Sequence, residues 1–282
     1  TSINTNSLAL RFPKNRLHIN KLPMDFNGSF DFLNNGYDMN FQLSSADADL
    51  DDVMSALPPQ YQGWLTKTSI KGKADIKAAL KGKYIVSTDS MPDLSLDMQV
   101  RKGSIAYDKA PVALSNLYLD MDYRLPLLNM EKQELKVDSA FFNVGKDYFS
   151  TVLDIKGFSA PYIKAKANST LDLATLDRAL GLADYDLKGK LNLQFSANGQ
   201  YATGQNPAKL RKDIIVTSIP AFTLNSSLEN GYIHYTPLPK PVEKLGFNLQ
   251  VSCPDNNYHH TSILLENLDA KVLNNYVKGF LK

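Results

Sequence analysis

The chain has 282 residues, 43% hydrophobic and 21% charged, with 31 Lys+Arg against 29 Asp+Glu and a formal net charge of +2. That apolar fraction, with only 15 Gly and 14 Pro, excludes a disordered or low-complexity chain and is enough to bury a sizeable core. The near-neutral balance speaks against a dedicated nucleic-acid binder, which gathers basic excess on one face, and the single cysteine, Cys253, rules out an internal disulfide or a cysteine-based zinc site.

In chain order, Thr1-Ser2-Ile3-Asn4 has no initiating Met, no basic start and no apolar signal core, so a processed or excised segment is expected. No run reaches the ~18 apolar residues of a membrane-spanning helix. Asn34-Asn35-Gly36 reads as a turn, and 50–57 has helical spacing behind Asp49, whose carboxylate is placed to accept first-turn N–H groups. A loop over 58–64 holds the only tryptophan, Trp64. Alternation of period two then predicts strands over 70–80, 94–100, 117–123, 135–144 and 148–155. A second helix is expected over 173–180 behind Asp172, followed by strands over 191–197, 222–228 and 246–251. Arg101-Lys102-Gly103, Asn198-Gly199 and Glu229-Asn230-Gly231 read as hairpin turns. The stretch 264–281 fits either alternating strand or a terminal helix.

The surroundings of the two helices match, which reveals an internal repeat. Ile70-Lys71-Gly72-Lys73-Ala74-Asp75-Ile76 corresponds to Leu187-Lys188-Gly189-Lys190-Leu191-Asn192-Leu193. Met91-Pro92 corresponds to Ile219-Pro220, and Gly103-Ser104-Ile105-Ala106-Tyr107 to Gly231-Tyr232-Ile233-His234-Tyr235. The expected organisation is one continuous array: a first unit over 1–128, a second over 129–256 and the start of a third over 257–282.

Catalytic and metal chemistry find little support. Of His18, His234, His259 and His260, the adjacent pair would point to opposite faces of a strand and could not clamp one ion. No Gly-x-Ser-x-Gly elbow, phosphate-binding Gly-Lys-Ser/Thr loop or Gly-x-Gly-x-x-Gly turn is present. The acidic run Asp47, Asp49, Asp51, Asp52 lacks the central Gly and closing Glu of a calcium loop and reads as a solvated helix start. Cys253 reads as a small half-buried residue. Asn27-Gly28-Ser29, Asn168-Ser169-Thr170 and Asn225-Ser226-Ser227 fit glycosylation acceptors, a pattern common by chance in such a sequence.

What remains is the apolar side of the strands. It would carry Ile70, Ala74, Ile76, Ala78 and Leu80 in one copy and Leu187, Leu191, Leu193, Phe195 and Ala197 in the other. Such a face is either the core of a sandwich or barrel, or a groove for acyl chains. The groove candidates from alternation are Ile76, Ala78, Leu80, Leu94, Leu96, Met98, Leu191, Leu193, Phe195, Phe222 and Leu224.

The phrase Ala167-Asn168-Ser169-Thr170-Leu171-Asp172-Leu173-Ala174-Thr175-Leu176, then Leu187-Lys188-Gly189-Lys190-Leu191-Asn192-Leu193 and Asn198-Gly199-Gln200-Tyr201, resembles the repeat of the bacterial AsmA-like family, with its TamB-type relatives. Gly103-Ser104-Ile105 and Gly231-Tyr232-Ile233 are similar to its following hairpin. The resemblance implies an all-β, minor-α fold, a strongly curved, mostly antiparallel repeating β-groove with one short helix per repeat. It also implies a periplasmic body whose parent protein is anchored in the inner membrane outside this segment. The implied function is non-enzymatic: a hydrophobic groove that assists phospholipid transport and outer-membrane maintenance, with a phospholipid or other acyl-chain lipid as ligand, envelope proteins as partners, and no cofactor, metal or nucleic acid. The alternative from another class is a closed β-sandwich for adhesion or carbohydrate binding, with Trp64 and the tyrosines as a platform; an enzyme built on carboxylates brought together by folding ranks third.

Overall fold

A computed structural model describes residues 2–4, 8–108, 110, 112–182, 184–206, 213–273 and 275–282. The chain begins with β1 (Ser2–Asn4), β2 (Ala9–Ile19), β3 (Leu22–Leu33) and β4 (Gly36–Asp49), followed by the short helices α1 (Leu50–Ser55) and α2 (Gln62–Leu65). Next come β5 (Thr68–Ile85), β6 (Asp93–Tyr107), β7 (Leu114–Leu125), β8 (Glu134–Val144), β9 (Asp147–Lys156) and β10 (Tyr162–Asp172), then α3 (Leu173–Leu180) and β11 (Tyr185–Gln200). A separate hairpin of β12 (Ala202–Gln205) and β13 (Ile214–Ser218) intervenes before β14 (Ala221–Tyr235), β15 (Val242–Cys253), β16 (Ser262–Val272) and β17 (Asn275–Leu281).

Apart from that hairpin, fifteen strands form one antiparallel sheet in chain order, an open meander whose edges are β1 and β17. The predicted all-β class with minor helix is what the chain adopts. Each predicted strand lies inside an observed one, and 264–281 forms β16 and β17 rather than a helix. The open sheet is not the closed sandwich considered above. Its exposed area is 17316 Å², whereas a compact 31.4 kDa protein exposes about 12,000 Å². The excess follows from one layer of strands that keeps both faces largely uncovered.

Three predicted turns are not turns. Arg101-Lys102-Gly103 and Glu229-Asn230-Gly231 lie within β6 and β14, where the ladder register shifts and Lys102 and Asn230 take positive φ of 51° and 52°. Asn198-Gly199 lies within β11. A left-handed residue next to glycine serves a bulge as well as a hairpin, so local sequence did not separate the two. The bulges recur at matched places. Gly72 and Gly189 have φ of 129° and 116°, and a Cβ on either would stand 2.7 Å from the Gly103 Cα or 2.8 Å from the Gly231 Cα. Only paired glycines let the two backbones approach this closely. The strand ends nearest the expected unit boundaries are those of β7 at Leu125 and β15 at Cys253.

The helix starts differ from expectation in one copy. Asp172 caps α3, accepting the Thr175 N–H at 2.7 Å. Asp49 makes no cap bond and instead pairs with Lys73 at 3.0 Å, because a lysine across the ladder satisfies its charge. Asp172→Ala should therefore lower stability by about 1 kcal/mol, and Asp49→Ala by less than half as much; urea unfolding followed by circular dichroism measures both. The segment 58–64 is also not a plain loop. It forms a 3-10 turn and the start of α2, so the first unit carries two helical pieces.

Burial concentrates beneath the helices. Leu50, Ile70, Ala74 and Val100 form one cluster; Leu22, Met24, Ala48 and Ile76 form a second, with Val53 of α1 and Ala56 just after it packed on it. Ala179 of α3 joins Leu114, Val144 and Leu171 in a third. Past α3, Gly181 takes the left-handed conformation and abuts the ring of Tyr107 at the end of β6, where a Cβ would collide with the ring. Cys253 is more deeply buried than predicted, 1% exposed, with its thiol donating to the Asp255 and Asn257 carbonyls.

Candidate apolar groove

Register decides which side chains share a face, since neighbours across a ladder point the same way and successive residues alternate. On β5 and β6, Ile76, Ala78 and Leu80 stand opposite Met98, Leu96 and Leu94. From Leu96 the same face runs through Tyr123, Leu135, Ile155 and Ile163 to Gly199 on β11. Gly199 shares its side of β11 with Phe195, Leu193 and Leu191, and Phe195 faces Leu224 while Ala197 faces Phe222. All eleven groove candidates therefore lie on one face of the sheet.

That face is not uniform. Ile76, Leu96 and Met98 belong to the cluster under α1 and act as core there. Ala78, Leu80, Leu94, Leu191, Leu193, Phe195, Phe222 and Leu224 are half-buried and outside the three clusters. Sequence reasoning missed the start of the same face: Phe12, Phe26 and Phe41 pack with ring centroids 5.6 to 6.0 Å apart, and Phe30 adds to the row. The alternation Phe26-Asn27-Gly28-Ser29-Phe30-Asp31-Phe32 carried that signal. Two polar groups interrupt the apolar face near α3. Asp147 accepts the Asp172 N–H at 2.7 Å, whereas the buried Ser169 hydroxyl has no partner among the described residues.

The opposite face is polar. In the first unit it is laced with ion pairs, including Arg124 with Asp97 at 2.6 Å, Lys73 with Asp49, and Arg101 with Asp75. The Arg101 hydrogen bond, helped by the Asp47 N–H at 2.7 Å, holds the Asp75 carboxyl below the usual carboxylate range. A depressed folded pKa stabilises above the unfolded value of about 4 and loses that contribution as pH falls through the lower folded value. Asp75→Asn should thus lower stability at pH 7 while flattening the acid limb below about pH 4, as read from urea midpoints across pH. Asp97 and Asp122 stand directly opposite each other. Their hydrogen bond, with burial and the Asp97 charge, raises the Asp122 pKa.

The remaining predicted features fall away from the apolar face. His259 and His260 sit in a 3-10 turn rather than a strand, and His260 Nδ1 lies 2.7 Å from Asp255. Among the described residues no cluster of His, Cys, Asp or Glu could hold a metal ion, and no helix is long and apolar enough to cross a membrane. Asp47 and Asp51 of the acidic run pair with Lys73 and Lys21. The Trp64 side chain, invoked for a sugar platform, lies outside the described residues. No family model matches the chain, and no curated protein or solved structure gives a match.

Proposed function

We propose that the apolar face is a groove for acyl chains and that the chain is a non-enzymatic lipid-groove module of an AsmA-like envelope protein. One observation carries this reading: a single open sheet presents a continuous row of half-exposed apolar side chains, and the helices cover only part of it. Water against such a face is costly, and each buried CH₂ contributes about 0.8 kcal/mol. A dozen methylenes contribute roughly 10 kcal/mol before ordering costs, without any specific polar site.

The groove reading includes strong curvature. Its support is α3, whose contacts extend from β6 to β11. Five strand spacings are about 24 Å on a flat sheet, roughly twice the 12 Å length of an eight-residue helix. One principal helix per unit, α1 and α3, would then close one end of the trough while the other stays open for lipid. Headgroups would lie at the wet rim. The parent protein would be anchored in the inner membrane, with this segment in the periplasm, moving phospholipid towards the outer membrane beside other envelope proteins.

Native mass spectrometry of protein purified from a Gram-negative host, coupled to lipid extraction, tests the proposal. Near-stoichiometric phospholipid is the expected result. A lipid-free protein that also takes up no fluorescent phospholipid rejects the groove.

A further inference from the structure

A second site lies on the polar face, on the other side of the sheet from the groove. In-register rows there run across β11, β14 and β15. Gln194 faces Asn225, and Asn225 faces Gln250; in the next row Asn192 faces Ser227, and Ser227 faces Asn248. These rows line a depression of about 430 Å³, with Tyr148, 39% exposed, at its margin.

The matched bulges supply an internal control. Counted from Gly72, Gly103 and Leu117, the counterparts of Gln194, Asn225 and Gln250 are Lys77, Asp97 and Asp122, which face one another in the same way. The next row in the first unit is Asp75, Gln99 and Asp120, where the second unit has Asn192, Ser227 and Asn248. Five of the six backbone positions are thus charged in one unit, and all six are uncharged in the other. Neither strand pairing nor solubility dictates the amides, because the charged row satisfies both.

The amides are not used up in a ladder of their own. Asn192 is tied to Thr170 and Ser227 at 3.0 and 3.2 Å. Gln194, Asn225 and Gln250 are exposed and make no side-chain hydrogen bond among the described residues. Each offers a donor and an acceptor side by side, and the lining carries a single carboxylate, Glu266, which stands opposite Asn248 at the end of the second row and adds an acceptor. The geometry points to a neutral oligosaccharide as ligand: paired hydroxyls match paired amide groups, and the Tyr148 ring offers an apolar surface for a sugar face. An anionic polymer would gain nothing from a row without cations.

The test uses isothermal calorimetry and side-chain amide NMR with maltohexaose, cellohexaose and chitohexaose at about 1 mM. At least one should bind and shift the Gln194, Asn225 and Gln250 amide resonances. The triple variant Gln194→Ala, Asn225→Ala, Gln250→Ala removes the three exposed amides, none of which makes a side-chain hydrogen bond among the described residues. It should lose about tenfold or more in affinity, as expected for three hydrogen-bonding groups, with an unchanged melting temperature and unchanged phospholipid content. Absence of binding by all three sugars, equal binding by the variant, or tighter binding of a sulfated oligosaccharide overturns the assignment. Because phospholipid content is read in the same preparations, failure of this site and failure of the groove are seen separately.

Discussion

Leu193→Asp should empty most of the groove while leaving the fold in place. Leu193 is half-buried near the middle of β11, outside the three helix-covered clusters, so its replacement removes little core. A carboxylate among acyl chains costs about 3 kcal/mol, roughly a hundredfold in affinity. Phospholipid per protein in native mass spectra should fall accordingly, with the circular dichroism spectrum unchanged. Leu224→Asp, opposite Phe195 on the neighbouring strand, should behave alike. Ile76→Asp is a poorer probe, since Ile76 is 7% exposed within a core cluster and its loss would act through folding. Full retention of lipid by both Leu193→Asp and Leu224→Asp would show that the chains lie elsewhere.

Gly189→Val should be strongly destabilising. Its φ of 116° is unfavourable for any side chain, and a Cβ would meet the Glu229 carbonyl and the Gly231 Cα, each at 2.8 Å. Strain of about 1–3 kcal/mol adds to overpacking of about 1–3 kcal/mol, for a total of about 2–6 kcal/mol. Thermal unfolding should shift down by about 3–10 °C. Gly246→Ala is the control, because its nearest new neighbour is the Leu228 carbonyl at 3.6 Å and its backbone does not demand glycine. A Gly189→Val protein as stable as the parent would mean that the two bulges are not rigid features of the sheet.

Several elements were readable before any coordinates. Alternation in 94–100 and 191–197 placed Leu94, Leu96, Leu191 and Leu193 on one side of their strands, and the 3.6 period of 173–180 marked α3 with its Asp172 cap. These signals are local, each carried by residues within one element. The bulges were misread as turns because Lys102-Gly103 and Asn230-Gly231 satisfy both geometries, and only the partner strand shows that the chain continues rather than reverses. Asp49 failed as a cap for a related reason: Lys73, distant in sequence, took its charge.

By itself, then, the sequence determined the strand period, the faces of each strand, the two main helices and the recurrence of their surroundings, because side-chain alternation and capping are properties of neighbouring residues. The tertiary structure decided what no local pattern could. It joined the strands into one open sheet, divided its apolar face into helix-covered core and uncovered surface, and aligned Gln194, Asn225 and Gln250 on the polar side. Cross-strand register depends on residues far apart in the chain, and it alone sets which side chains meet.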